Sequence, residues 1–178
     1  MKNPNPTARL ISALAFAAHK HRNQRRKDVE ASPYINHPIA LAQMLAVEGG
    51  VKDADVLVAA ILHDTVEDTR TTAAELKRKF GGKVAAIVTE VTDDKRLRKY
   101  VRKRLQIEHA PHLSKAAKLV KLADKICNLR DVTDSPPKKW RIARRRIYFE
   151  WARSVVGGLR GVHPGLERIF DRAYSRKP

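Results

Sequence analysis

Across residues 10–173 the apolar side chains return every three or four positions, and no stretch of β-branched residues alternates with polar ones. That period is helical, so the chain is expected to be all-α. Asn36, His37 and Pro38 read as a helix start, since proline suits the first helical position, and Gly49 with Gly50 supply a stop after Leu41, Ala42 and Leu45. The run 56–62 is almost continuously apolar, which suggests a central buried helix, although periodicity alone leaves a strand open there. Thr72 and Glu75 have capping-box spacing, and Phe80 is followed by Gly81 and Gly82, so a short helix has both ends marked. Val84, Ile87, Val88 and Val91 carry the next helix. Leu97, Tyr100, Val101 and Leu105 then line the inward face of an amphipathic segment, with Arg96, Arg98, Lys99, Arg102 and Lys103 on a solvated outer face. A helix from about Ser114 turns Leu119, Leu122, Ala123 and Ile126 inward and ends before Asp134, Ser135, Pro136 and Pro137. Trp140, Ile147, Trp151, Val155 and Leu159 line a long helix, and Leu166, Ile169, Phe170 and Ala173 a last one. With 178 residues, 43% of them hydrophobic, and no Gly/Ser- or Pro-rich linker, residues 1–178 are expected to form a single domain.

The formal net charge of +18 implies attraction to polyanions: nucleic acid, an anionic membrane or a phosphorylated small molecule. No nucleic-acid reading motif is present, so no specific nucleic acid is expected, whereas a polyphosphorylated nucleotide needs only a few converging Lys and Arg side chains. Cys127 is the only cysteine, which excludes an intramolecular disulfide and a thiolate metal cage and fits the reducing cytoplasm. The apolar stretch 10–18, preceded by Lys2 and Arg9, imitates a signal-peptide core. Its Leu10, Ala13, Leu14 and Ala17 nevertheless keep helical spacing, and His19, Lys20, His21 and Arg22 continue the element, as in a first core helix. No segment approaches the ~20 apolar residues of a membrane span, and no membrane partner is expected.

Chemistry concentrates at a few polar residues in apolar settings. His63 and Asp64 end the most apolar helix, where an unpaired aspartate is costly. Glu67 follows Asp64 by three residues and Asp68 by four, so a continued helical turn crowds three carboxylates onto one side. A cation among them relieves the repulsion, yet a His-Asp dipeptide by itself reads more simply as a capped helix end with solvated acids. Asp124 lies inside the apolar helix LVKLADKICNLRD with Lys121 and Asn128 on its face. Alone, it is explained by a salt bridge to Lys121 or Lys125. His37 beside a helix start is, alone, a cap. Taken jointly, His37, His63, Asp64 and Asp124 are an N/O set suited to Mn²⁺, Fe²⁺ or another borderline divalent ion. Such an ion polarises a phosphoryl oxygen and activates water near neutral pH, and Glu67 or Asp68 can orient that water or accept its proton. Because carboxylates repel phosphate, the substrate needs basic groups from elsewhere. Arg25, Arg26 and Lys27 precede the segment 33–37, Lys121 shares the Asp124 face, and Arg144 and Tyr148 lie one helical turn apart.

The segments AHKHRNQRRK, PYINHP, HDTVEDT and KLVKLADKICNLRD, in this order and spacing, resemble the hydrolase domain of RelA/SpoT proteins, and within that family the small stand-alone alarmone hydrolases that include the metazoan SpoT homologs. The likeness runs over about 8–174. The resemblance implies a single-domain HD-type helical bundle built around one Mn²⁺, with His37, His63, Asp64 and Asp124 as ligands and Glu67 and Asp68 as the catalytic acidic pair. It also implies that Arg26 and Lys27 contact the nucleotide, that Tyr34 and Asn128 shape the ribose and base pocket, and that Lys121, Arg144 and Tyr148 lie near the phosphates. The implied reaction is hydrolysis of the 3′-diphosphate of ppGpp to GDP and pyrophosphate, with no synthetase activity. The Arg-rich stretch 138–146 and the segment 29–32 depart from the family pattern. One rival is dephosphorylation of NADPH at its ribose phosphate on the same site, which some animal relatives also perform. Another is a nucleic-acid-binding module whose metal site has lapsed.

Overall fold

The computed structural model describes residues 5–178, which form ten α-helices and, among the described residues, no strand beyond an isolated bridge between Arg25 and Pro33. Lys2, and the first four positions of the expected domain, lie outside the described residues. The architecture is the helical bundle that the periodicity predicts. α1 (Pro6–Lys20) opens with the Asn5 side chain accepting the Thr7 N–H and with proline at its first position. The stretch 10–18 is therefore part of a packed helix: Ala13 and Ala17 are buried, and their small side chains let α1 lie close against α3 (Ala54–Leu62).

All seven residues of the 56–62 run are buried in α3, which resolves the strand alternative in favour of a helix started by the Asp53 side chain on the Asp55 N–H. A helix apolar on every side must be enclosed. α3 accordingly touches α1, α2 (Asn36–Gln43), α6 (Gly82–Val91) and α8 (Lys115–Asp134). Pro38 is the third residue of α2 rather than the first, still within the turn whose N–H groups lack intrahelical partners. α2 continues as a π-helical turn, Met44–Glu48, and stops where the Gly49 N–H returns to the Met44 carbonyl at 2.9 Å. Glycine is required at position 49, since a Cβ there would lie 2.8 Å from both Leu166 and the Leu45 carbonyl.

α4 (Thr65–Asp68) is one turn, and α5 (Ala73–Phe80) starts at Thr72, whose hydroxyl accepts the Glu75 N–H. The reciprocal half of the capping box is missing because the Glu75 carboxylate pairs with Lys20 at 3.1 Å. α8 begins at Ser114, is buried along most of one side from Ala117 to Val132, and packs on α2, α3, α6, α9 (Ile142–Gly157) and α10 (Pro164–Ser175).

Two helix faces differ from expectation. α7 (Lys99–His109) buries none of its residues, and Leu97 and Tyr100 are exposed. The side that meets α9 instead carries Arg102 and Lys103, both half-buried. In α9 the inward residues are Phe149, Ala152, Val155 and Val156, whereas Ile147 is exposed and Trp140 precedes the helix. Leu62, fully buried immediately before His63, couples core to site. Leu62→Ala is expected to cost about 2–5 kcal/mol of stability in denaturant titration, and a loss below about 1 kcal/mol would show that the end of α3 is not held by packing.

Candidate active site

Three central elements meet at one point. His37 comes from α2, His63 and Asp64 from the junction where α3 hands over to α4, and Asp124 from the middle of α8. His63 Nδ1 donates to the Ala60 carbonyl at 2.8 Å, which leaves Nε2 to face the site. There Nε2 is buried without a hydrogen-bond partner and lies 3.0 Å from Asp64 Oδ2. His37 Nε2 stands 3.2 Å from Asp124 Oδ1, and the two imidazoles are 5.3 Å apart between centroids. Ligand atoms of His37, His63 and Asp124 fall within 4.8 Å of one another, a group able to hold a metal ion, and Asp64 reaches it through its contact with His63. Two imidazole nitrogens and two carboxylates suit a divalent first-row ion. The otherwise partnerless His63 Nε2, costly to bury unless something binds it, is the observation that most directly fits a cation here.

The electrostatics agree. Burial would lower the His63 pKa, but the Asp64 carboxylate reverses this and raises it to about 9. Burial would raise the Asp64 carboxyl, and His63 more than offsets that, holding it well below the usual range. At Asp124 the same opposition is won by Lys125, with His37 assisting. The pocket favours positive charge where the four side chains meet.

Around this point the acids and bases are individually tethered. Glu67 accepts the Asp93 N–H at 3.1 Å and lies 3.5 Å from Arg102, and burial raises its pKa. Asp68 pairs with Lys95, and Tyr34 donates to Asp64 and lies 3.2 Å from Asp68 Oδ2. Asn128 donates to Asp124 at 2.5 Å, and Lys121, though it lines the cavity, donates to the Val91 carbonyl at 2.8 Å. This inner cavity, about 200 Å³, shares Arg26, Tyr34, His37, Asp68 and Asn128 with an outer cleft of about 690 Å³, which Lys27, Trp140 and Tyr148 also line. Arg26 pairs with Asp131 and sits over the Tyr34 ring. Trp140 and Tyr148 separate the outer cleft from a further one of about 360 Å³ between α7 and α9, lined by Lys99, Arg102, Lys103, Arg144 and Trp151. Arg144 belongs to this second cleft, stacked 4.5 Å over Trp140. Of the sequence-derived site residues, all thirteen line one of these three connected spaces. Sequence reasoning missed Lys95, Arg102, Lys103 and Trp140 as site residues. Only the absence of any acid over 95–104 signalled that this segment faces something anionic.

Adding a divalent cation to metal-stripped protein is expected to raise its thermal midpoint, by about 2.7 kcal/mol of stabilisation at a hundredfold excess over Kd. Asp124→Ala and Asp64→Ala should each abolish the shift. An undiminished shift in either variant would remove that residue from the ligand set.

A profile of the HD domain family matches residues 13–151. Guanosine-3′,5′-bis(diphosphate) 3′-pyrophosphohydrolase MESH1 of Danio rerio is 56% identical over 98% of this chain and 97% of its own length. The Homo sapiens protein of the same name is 54% identical over 96% and 95%. A solved structure described as a metazoan ortholog of SpoT that hydrolyses ppGpp superimposes with a TM-score of 0.93 at 46% identity, covering 99% of this chain and 98% of the other. The resemblance read from the motifs is thereby borne out across nearly the full chain. The chain belongs to the HD domain family and, within it, to the SpoT-related group of MESH1 proteins.

Proposed function

We propose that this protein hydrolyses the 3′-diphosphate of ppGpp, consuming one water and releasing pyrophosphate and GDP. The observation that carries the reading is the junction of two opposite environments. A His/Asp metal group with two adjoining acids opens, through a shared wall, onto a cleft of basic and aromatic side chains. The first suits phosphoester hydrolysis, and the second suits a phosphorylated purine nucleotide.

In this reading His37, His63, Asp64 and Asp124 hold Mn²⁺, one of the divalent ions that two imidazoles and two carboxylates suit, and the one the family resemblance implies. When bound, the ion supplies charge to polarise the scissile phosphoryl group and to make water acidic near neutral pH. Everything else is done by the chain. Asn128 and Lys125 fix the Asp124 carboxylate from two sides, at 2.5 and 2.9 Å. Glu67, whose pKa burial raises, is suited to take a proton from the attacking water near neutral pH. Asp68 orients that water, with its carboxylate restrained by Lys95 and Tyr34. Arg26 and Lys27 contact the nucleotide in the outer cleft, Tyr34 and Asn128 shape its ribose and base pocket, and Arg144 and Tyr148, with Lys103, lie near phosphate in the α7–α9 cleft. Lys121 acts at a distance, as a buried positive charge behind Asp124. We place the reaction in the cytoplasm, consistent with the lone buried thiol of Cys127, and read residues 1–178 as one domain.

Incubating metal-stripped protein with ppGpp, and separately with NADPH, with and without Mn²⁺, tests the proposal. Mn²⁺-dependent pyrophosphate from ppGpp is expected, and Glu67→Gln should retain metal while lowering kcat about 100-fold or more. Orthophosphate from NADPH without turnover of ppGpp would replace the reading.

A pH dependence follows from Lys103. Burial, then Lys99, Lys125 and Arg144, lower its pKa to about 8. Its charge is therefore present below that pH and lost above it, and a polyanionic substrate should bind the free enzyme less well as pH rises through about 8. The expected result is a fall in kcat/KM with an inflection near this value that Lys103→Gln removes. An unchanged profile in the variant would exclude Lys103 from substrate binding.

A further inference from the structure

Asp68 is the last residue of α4, a helix of only four residues. One turn does not hold itself, because nucleation fixes many dihedrals for each hydrogen bond gained, and carbonyls at a helix end lack intrahelical partners. The Asp68 carbonyl finds its partner in a distant part of the sequence: Gln24 Nε2 donates to it at 2.6 Å. That bond sets the orientation of the Gln24 amide, so its Oε1 faces His21 Nδ1 at 2.6 Å, and Nδ1 must carry a proton. The Gln24 main chain is tied as well, since its N–H reaches the His21 carbonyl at 2.8 Å and its carbonyl accepts the Tyr34 N–H at 3.1 Å. His21 caps the end of α1 and is 2% exposed, its ring 4.8 Å from that of Tyr34. Its Nε2 is buried with no partner, a destabilising arrangement for a residue that only fills space. Tyr34 in turn donates to Asp64 and adjoins Asp68.

We propose that His21 and Gln24 are positioning residues: a buried brace from the end of α1 that holds the main chain of Asp68 and the ring of Tyr34 in place for hydrolysis. His21 lies behind the clefts, and Gln24, though it borders the outer cleft, turns both ends of its amide inward to Asp68 and His21. The brace sets where α4 ends, and so where the Asp68 carboxylate points. Neither residue belongs to the site inferred from the sequence. The proposal rests on the reading of Asp68 as part of the hydrolytic site.

The test compares His21→Asn, His21→Leu and Gln24→Glu in the full chain loaded with Mn²⁺. It measures kcat and KM on ppGpp, metal content, thermal midpoint and hydrogen exchange of the Asp68 and Thr69 amides, which bond to the Asp64 and Thr65 carbonyls at 2.8 and 3.2 Å. Asparagine presents an N–H close to where Nδ1–H stands but leaves a void, whereas leucine fills the space and donates nothing. His21→Asn should keep kcat within a few-fold, while His21→Leu should lower it about 10–100-fold with little change in KM or metal content and with faster exchange at Asp68 and Thr69. Gln24→Glu, at a half-buried position on the cleft wall, should reproduce the leucine result in kcat at saturating ppGpp and in exchange at Asp68 and Thr69, because a carboxylate cannot donate to the Asp68 carbonyl, while its added charge is expected to raise KM. Retained kcat in both His21→Leu and Gln24→Glu would overturn the proposal, as would an Asn variant as impaired as the Leu variant, or lost activity with unaltered exchange. Should His21→Leu fail to fold, Gln24→Glu decides alone. If the unmodified protein does not turn over ppGpp, the functional reading fails by itself, and the exchange rates still decide whether the brace exists.

Discussion

Two carboxylates stand in the middle of an apolar bundle, and the rest of the molecule is arranged so that they can. The side chains of Asp64 and Asp124 are only 18% and 16% exposed, and they lie where the end of α3, the most apolar helix, meets the buried side of α8. Removing an ionised carboxylate from water costs several kcal/mol unless hydrogen bonds and opposite charge replace the hydration. Each acid is accordingly surrounded: Asp64 by His63 and Tyr34, Asp124 by His37, Lys125 and Asn128. The same requirement explains why α2, α3 and α8 converge, since no one helix supplies enough donors to both acids. Apolar packing brings the three helices together, and the acids determine which residues must face the junction.

Beyond this negative centre the charge reverses. Seven lysines and arginines fall between positions 95 and 104 and six more between 138 and 146, and neither segment contains an acid. Both border the clefts beside the metal group, so much of the +18 charge forms a positive rim around an acidic interior. A rim of this kind concentrates anionic ligands and speeds their capture at low ionic strength. The lowered pKa of Lys103, partly due to its cationic neighbours Lys99, Lys125 and Arg144, shows that these charges repel one another in the free protein. A polyanion in the cleft relieves that repulsion, whereas a neutral ligand of the same shape does not.

Helix positions were legible in the sequence because they follow from local rules, whereas the candidate metal group was not. His37, His63 with Asp64, and Asp124 each read locally as structural, and only their combination and the family motifs join residues of three helices. Three-and-four spacing marks a buried face wherever that face is apolar, and an acid inside an apolar run announces that it has partners. α7 was misread for a physical reason. The amphipathic rule assigns Leu97 and Tyr100 to the interior, yet α7 meets α9 through Lys103, whose ammonium lies 5.4 Å from the Tyr148 ring centre and 4.4 Å from that of Trp151, and meets α4 through Arg102 beside Glu67. Long cationic side chains can bury their stems and stack their charge on aromatic rings, so Arg102 and Lys103 are packed alongside the half-buried Val101 and Leu105 rather than left on a solvated face. Nothing within α7 announces this, because the rings and the carboxylate come from other segments. The helix marked by Thr72 and Glu75 formed with only half of its capping box, since the Glu75 carboxylate found Lys20 at 3.1 Å, a partner far away in sequence.

At Asp124 a salt bridge and a place in the candidate metal group do not compete. A salt bridge to a neighbouring lysine accounts for an aspartate within a helix, and the structure contains one, from Lys125 at 2.9 Å. Lys121, one turn earlier on the same helix, turns away to the Val91 carbonyl. Yet Lys125 engages Oδ2, whereas Oδ1 faces His37 and Asn128. A carboxylate accepts at both oxygens, so one edge can be neutralised permanently while the other is directed at the metal group. Lys125 is itself buried, 4.5 Å from the ring centre of Trp151, which also lines the α7–α9 cleft. The charge that permits Asp124 to be buried is therefore held by the aromatic wall of the adjoining cleft, so filling that cleft and fixing the Asp124 carboxylate draw on the same packed side chains.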